Sequence, residues 1–241
     1  MTVILQAEHL TKSYGAVTVV DDLSVSLIEG EALGVVGPNG AGKTTMLNLL
    51  TGIVHPDTGT VSFQGVDISR RQPDERCLVG LGRTYQIPKP FEGMTVFENV
   101  LVGGTYGRGR REKESWDVCA YALHRTGLLA QANVLAESLS LLERKRLELA
   151  RALATEPKVL LLDEIAGGLT EGEVQSLIGT IKQLRDEGIS IIWIEHIVHA
   201  LLAVVNRLIA LDFGKLIAEG DPNTVINSPE VRDVYMGSMA P

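Results

Sequence analysis

The stretch Gly37 to Thr45, GPNGAGKTT, constrains what this chain can fold into more than any other part of it. It fits the pattern G-x-x-x-x-G-K-[ST], a loop whose glycines let successive backbone N–H groups converge on one anion, with the following helix N-terminus adding its positive end. The flanks supply the required context. Ala32 to Val36 (ALGVV) reads as a buried strand, and Thr45-Met46-Leu47-Asn48-Leu49-Leu50 continues as a helix. Gly37, Pro38, Asn39, Gly40, Ala41, Gly42, Lys43, Thr44 and Thr45 are therefore candidate nucleotide-binding residues. Lys43 can reach the outer phosphates, and the Thr44 hydroxyl can ligate Mg²⁺. The implied ligand is a nucleoside triphosphate.

The rest of the chain bounds the setting. Its 241 residues suffice for one large domain or a core with a subdomain. A net charge of -8 disfavours a nucleic-acid binder, which would carry a basic face; the most basic stretch, Arg108 to Lys113, is short, glycine-interrupted and reads as a solvated loop. Cys77 and Cys119 form no metal-ligand or redox pair by spacing, so a reducing compartment is the default. The N-terminus lacks a secretory pattern. The most apolar region, Ile189 to Leu211, carries Glu195, His196, His199, Asn206 and Arg207, too much polarity for a membrane span.

Periodicity divides the chain into three parts. Val3 to Leu27 alternates apolar runs with the turn signals Tyr14-Gly15 and Asp21-Asp22, and Thr60 to Phe63 reads as another strand of that β layer. Residues 87–155 open on Ile87-Pro88-Lys89-Pro90 and hold helical stretches around Glu112 to Arg125 and Leu139 to Ala154, a helical insertion. From 156 onward the pattern returns to α/β. Val159-Leu160-Leu161-Leu162 suits a fully buried strand. Thr170-Glu171-Gly172-Glu173 matches a capping box; Val174, Leu177, Ile178, Ile181 and Leu184 follow at helical spacing, and Gly188 is placed to end the helix. Ile189 to Ile194 is the next buried strand, and a βαβ unit makes the two strands parallel. Ligands of such sheets sit off the carboxyl ends of the strands, which puts Asp163-Glu164 and Glu195-His196 on the edge of the phosphate loop.

Asp163 can hold Mg²⁺ there, and Glu164 can polarise an attacking water; acids in this place also serve as ordinary turn or cap residues. His196 follows a buried strand and by itself reads first as a satisfied strand-end histidine; a role at the nucleotide is the other reading, with His199 one turn on as a competitor. By spacing alone Gln86 is an ordinary loop glutamine. Tyr14 is a strand or turn aromatic, or a stacking platform for a purine.

Phosphate loop, Gln86, Asp163-Glu164 and His196, in this order and at these separations, resemble the ATPase subunits of ABC transporters across essentially the whole chain. The resemblance implies an α/β fold, a P-loop ABC ATPase core with an N-terminal antiparallel β layer and an inserted helical subdomain, in a single domain over 1–241. Its approximate parts are 1–86 (β layer and phosphate-loop core), 87–155 (helical subdomain) and 156–241. It also implies roles: Tyr14 stacks on adenine, Gln86 is the lid glutamine touching Mg²⁺, Asp163 the metal acid, Glu164 the general base and His196 the switch histidine near the γ-phosphate. ATP and Mg²⁺ are the implied cofactors. The implied partners are integral membrane permease subunits, a second ATPase subunit (the same chain or a sister) and, indirectly, a solute-binding protein, with this chain peripheral on the cytoplasmic face of the inner membrane. Thr84-Tyr85-Gln86, Phe91 to Val100, Ala166-Gly167-Gly168-Leu169-Thr170, Trp193 to His196 and Gly220-Asp221-Pro222 to Val231 resemble the branched-chain amino-acid uptake branch, and the expected function is uptake of such amino acids or related small polar solutes. Export of a lipid-like cargo and a soluble ABC ATPase acting on ribosomes or DNA are the alternatives. A P-loop GTPase lacks support because no Asn-Lys-x-Asp element for guanine selection is present, and a small-molecule kinase leaves Gln86 and His196 unexplained.

One family element is altered. The signature, usually Leu-Ser-Gly-Gly-Gln, reaches across the family's dimer to the other subunit's γ-phosphate; here Leu139 is followed by Ser140, Leu141, Leu142 and Glu143. Both glycines are gone, which restricts close backbone approach. Ser140 and Glu143 also fit a capping box, so the serine is expected to engage its own helix, with an acid brought to a phosphate-binding end. The expectation is a weakened signature; the alternative is a tolerated variant.

Overall fold

A computed structural model describes residues 2–237. The chain opens with a hairpin of β1 (Val3–Tyr14) and β2 (Val17–Ile28), then β3 (Ala32–Val36), the phosphate loop and α1 (Lys43–Thr51). β4 (Thr58–Phe63) and β5 (Val66–Asp67) follow, then α2 (Pro73–Val79) and the short β6 (Leu81–Arg83). The middle of the chain is helical: α3 (Val96–Tyr106), α4 (Trp116–Arg125) and α5 (Leu141–Ala154), with short 3₁₀ turns between them. β7 (Val159–Asp163), α6 (Glu171–Asp186), β8 (Ser190–Ile194), α7 (Val198–Val204), β9 (Arg207–Asp212), β10 (Lys215–Gly220), α8 (Pro222–Ile226) and α9 (Pro229–Gly237) complete it.

Two sheets result. One is antiparallel in the order β2-β1-β4-β5; the other runs β10-β9-β3-β8-β7-β6 and is parallel except for β10. Every residue of β3, β7 and β8 is buried, as their continuous apolar runs require of strands covered on both faces. Alternate side chains serve two cores. Leu33, Val35, Leu161 and Ile192 pack with Met46, Leu47, Leu49 and Leu50 of α1 and the inner face of the antiparallel sheet. Leu160, Leu162, Ile191 and Trp193 face the opposite way, toward α5, α6 and α7. The helical middle shares that second core through Val96, Val100, Cys119, Leu123 and Leu149.

α6 starts at the capping box of Thr170 and Glu173, and all five residues expected on its inner stripe are buried. Gly188 takes φ +92, the left-handed conformation that glycine adopts at little cost just past a helix end. The turn expected at Asp21-Asp22 is absent: β2 runs through it with a local irregularity opposite β1. His9 and Asp22 both take positive φ there (51 and 53°), and His9 Nδ1 lies 2.8 Å from Asp22 Oδ1. The two polar residues mark a bulge in the hairpin instead of its turn, which falls at Gly15. The basic stretch is not wholly solvated either, since Arg108 and Arg110 both pair with Glu156.

Candidate active site

The strand order assembles the site. β3, β8, β7 and β6 are neighbours in that order and mutually parallel. The segments leaving their carboxyl ends are the phosphate loop, Glu195-His196, Glu164 and Gln86, so they stand side by side on one edge. Glu164, leaving the strand between the other two, can touch both His196 and Gln86.

The loop itself is built around backbone conformations that side chains resist. Gly40 and Gly42 take φ +82 and +96, and a Cβ on Gly42 would lie 2.6 Å from the Val19 carbonyl oxygen. Gly42 caps α1 without any side-chain hydrogen bond, and the first turn of α1 holds no acid, so its amides remain available to an anion. Lys43 is buried and folds back on the loop, its Nζ donating to the carbonyls of Gly37 at 2.7 Å and Pro38 at 2.9 Å. Burial lowers the Lys43 pKa, opposed by the charges of Glu164 and Asp163. Asn39 to Thr45 line one open pocket together with Val19 and Glu164.

Glu164 holds φ +47, a left-handed conformation costing an ordinary residue about 1–2 kcal/mol. Its N–H donates to the Ile194 carbonyl at 2.9 Å, which ties the strained turn to β8. One carboxylate oxygen lies 2.8 Å from His196 Nε2, and the other accepts from Gln86 Nε2. The three polar residues that followed from resemblance thus form one cluster beside the phosphate loop. A carboxylate aimed in this way can accept a proton from water placed against a bound phosphate.

Asp163 is buried at the end of β7, and Arg83 Nη2 pairs with its Oδ2 at 2.8 Å. Burial raises the Asp163 pKa, opposed by the hydrogen bond and charge of Arg83. The same guanidinium reaches Asn48 Oδ1 of α1 at 2.6 Å, linking β6, β7 and the helix after the phosphate loop. Thr44, Gln86 and Asp163 line one cleft with Arg83 and Tyr85. A hydroxyl, an amide oxygen and a carboxylate make a hard, all-oxygen set, and Mg²⁺ favours few protein ligands supplemented by phosphates and water. No cluster of three or more His, Cys, Asp or Glu suited to a metal occurs among the described residues.

Other expected residues lie apart from this cluster. Tyr14 stands half-exposed at the end of β1, with Lys12 Nζ 5.7 Å from its ring centroid. His199 faces away to Glu171, 3.2 Å from its carboxylate. Ser140 caps α5, its Oγ accepting from the Glu143 N–H while Glu143 Oε2 accepts from the Ser140 N–H at 2.8 Å. Leu141 is exposed beside Gly168, and Leu142 occupies the same first turn. Sequence reasoning missed Arg83 and Lys145, and it placed Glu195 on this edge without giving it a role. The last two had a readable signal: a lysine on the otherwise apolar stripe of α5, and an acid at the mouth of a buried strand.

Glycine loop, parallel sheet and the acid–amide–imidazole cluster define a nucleotide-binding cassette of the P-loop class. A family model described as ABC transporter matches residues 20–167. The chain is 38% identical to the lipopolysaccharide export system ATP-binding protein LptB of Acidithiobacillus ferridurans, over 98% of each chain. It is 33% identical to the high-affinity branched-chain amino acid transport ATP-binding protein LivG of Salmonella typhimurium, over 97% of this chain and 98% of the relative. The ADP conformation of MJ1267, an ATP-binding cassette of an ABC transporter, superposes with a TM-score of 0.91 at 30% identity, covering 98% of this chain and all of that one. The chain belongs to the ABC transporter ATP-binding family. It is an ATPase subunit, of a kind that dimerises and works with membrane permease components.

Proposed function

We propose that this chain hydrolyses ATP at the edge just described, with Glu164 as the general base. The observation that carries the reading is the double engagement of the Glu164 carboxylate, by His196 on one oxygen and Gln86 on the other, against the loop that binds phosphate. In this reading Lys43 and the α1 amides hold the β- and γ-phosphates, and Tyr14 stacks on adenine. His196 orients Glu164 toward the γ-phosphate. Thr44, Asp163 and Gln86 hold Mg²⁺, which supplies charge neutralisation on the phosphate oxygens. The experiment is Glu164→Gln: hydrolysis is expected to fall by about a thousandfold while ATP binding persists. Wild-type turnover in that variant would remove Glu164 from the mechanism.

The finer reading is import of branched-chain amino acids or related small polar solutes, supported by the LivG relatives and by the Thr84-Tyr85-Gln86 and Trp193 to His196 motifs. A lipid-like export cargo is the second reading, favoured by the likeness to LptB. Residues 87–155 serve as the helical subdomain between the parts 1–86 and 156–241 of one domain. No helix among the described residues is long and apolar enough to cross a membrane. We place the chain peripherally, on the cytoplasmic face of the inner membrane, with permease subunits, a second ATPase and indirectly a solute-binding protein, and without nucleic acid. The segment Ser140 to Glu143 is read as a weakened signature donated to that second ATPase. Tagging the chain in its native cell and identifying what co-purifies from gently solubilised membranes tests this. Integral membrane subunits and a solute-binding protein support import; lipid-export components support the second reading; recovery with ribosomes overturns both.

A further inference from the structure

Behind the Gln86–Glu164–His196 cluster lies a second polar layer. Lys145 projects from the second turn of α5 and is only 5% exposed. Its Nζ donates to the carbonyl of Gln86 at 3.5 Å and to that of Glu164 at 3.4 Å. These two residues already share a hydrogen bond between their side chains, so the ammonium braces the same pair through the main chain. Glu195 is buried to 1% exposure, and its carboxylate accepts from the N–H of Ala166 at 2.9 Å and of His196 at 3.0 Å. It therefore fastens the chain just after Glu164 to the chain that carries His196. Burial lowers the Lys145 pKa, and the charges of Glu195 and then Glu164 oppose that shift.

Taking an ammonium and a carboxylate out of water costs several kcal/mol each unless their partners repay it. A scaffold alone is better served by apolar side chains of that size. Here both charges face main-chain groups of Gln86, Glu164 and His196, and of Ala166 two residues after Glu164.

We propose that Lys145 and Glu195 are positioning residues for hydrolysis, and that Lys145 ties the place of α5 to the aim of Glu164. The inference rests on Glu164 being the general base. α5 begins at Ser140, in the segment read as facing the other subunit, so a shift of this helix acts on the carbonyls of Gln86 and Glu164 through one buried ammonium. Misplacement of a reacting group by about 1 Å costs on the order of 100-fold in rate.

The test is Lys145→Met in the full-length chain, with turnover, KM and ATP affinity measured separately. Expected is a fall in kcat of about 30- to 100-fold with ATP affinity within about threefold, and recovery of most turnover in Lys145→Arg. Turnover within about twofold of wild type, or a kcat loss matched by an equal loss of ATP affinity, overturns the proposal. Should Lys145→Met show no cooperative melting, Glu195→Gln takes its place, because it keeps the shape and one acceptor but removes the charge. A kcat-only loss there supports the pair, and wild-type turnover overturns it. Glu164→Gln run alongside separates the two layers: turnover in that variant sinks the general-base reading, whereas a silent Glu164→Gln with a normal Lys145→Met sinks only this one.

Discussion

Two helix N-termini in this molecule are proposed to meet phosphate, and they are built in opposite ways. α1 starts at a glycine with no side chain on its first amides and no acid in its first turn. α5 starts at Ser140 with a complete capping box, and the Ser140 N–H and hydroxyl hold the Glu143 carboxyl below its usual pKa, keeping a negative charge at that end. An open N-terminus attracts an anion by about 0.3–1 kcal/mol from the dipole alone, before direct N–H contacts; a capped one has already used that attraction on its own glutamate. Under the proposed roles, the contrast separates the phosphate site of this chain from the end proposed to serve a partner. Its own phosphate site is equipped, and the end proposed to meet the opposite subunit carries leucines and an acid.

The largest effect should come at α1. Lys43→Met removes the cation that spans the loop and should weaken ATP binding by about 100-fold, measured by calorimetry on the full-length chain. An unchanged affinity would show that the open N-terminus alone suffices and break the comparison. A smaller effect of opposite sign is expected at α5. Leu141→Gly with Leu142→Gly should strengthen ATP-driven dimerisation by roughly tenfold, read by sedimentation in the Glu164→Gln background so that ATP is not consumed. Each glycine also costs about 0.8–1 kcal/mol of helix propensity, so a loss of melting temperature is part of the expected result. Dimerisation no tighter than before would mean that the leucines are tolerated and the signature is not weakened.

The equipped region was also the legible one, for physical reasons. The loop demands glycines at fixed places, and the strands β3, β7 and β8, covered on both faces, show as unbroken apolar runs. α6 announced itself through its capping box and stripe. α3 did not, although Thr95 and Glu98 form the same kind of box, because the glycines at 103 and 104 and the preceding prolines obscured its period. β6 holds three residues, too few to show any period, and yet it delivers Arg83 to Asp163. Partners 80 residues apart in sequence become neighbours only through the strand order, which periodicity does not encode. The partners of Lys145 and Glu195 were hidden for a related reason, although both residues stand out in the sequence: those partners include main-chain groups of the separate loop that carries Glu164 and Ala166.

The smallest predicted change bears on which helix owns Ser140. If its hydroxyl belongs to the cap, Ser140→Ala removes one acceptor for the first-turn amides and costs about 1 kcal/mol. For a domain of this size that corresponds to a melting temperature about 2–4 °C lower in the nucleotide-free protein. The long 3.4 Å contact from the Glu143 N–H to Ser140 Oγ puts the effect near the low end. If instead the hydroxyl is reserved for a phosphate on the opposite subunit, the nucleotide-free protein should melt as wild type while ATP-driven dimerisation weakens. Differential scanning calorimetry without nucleotide and sedimentation with it read these two losses independently. A loss in the first alone assigns Ser140 to α5, and with it the closed end that distinguishes α5 from α1.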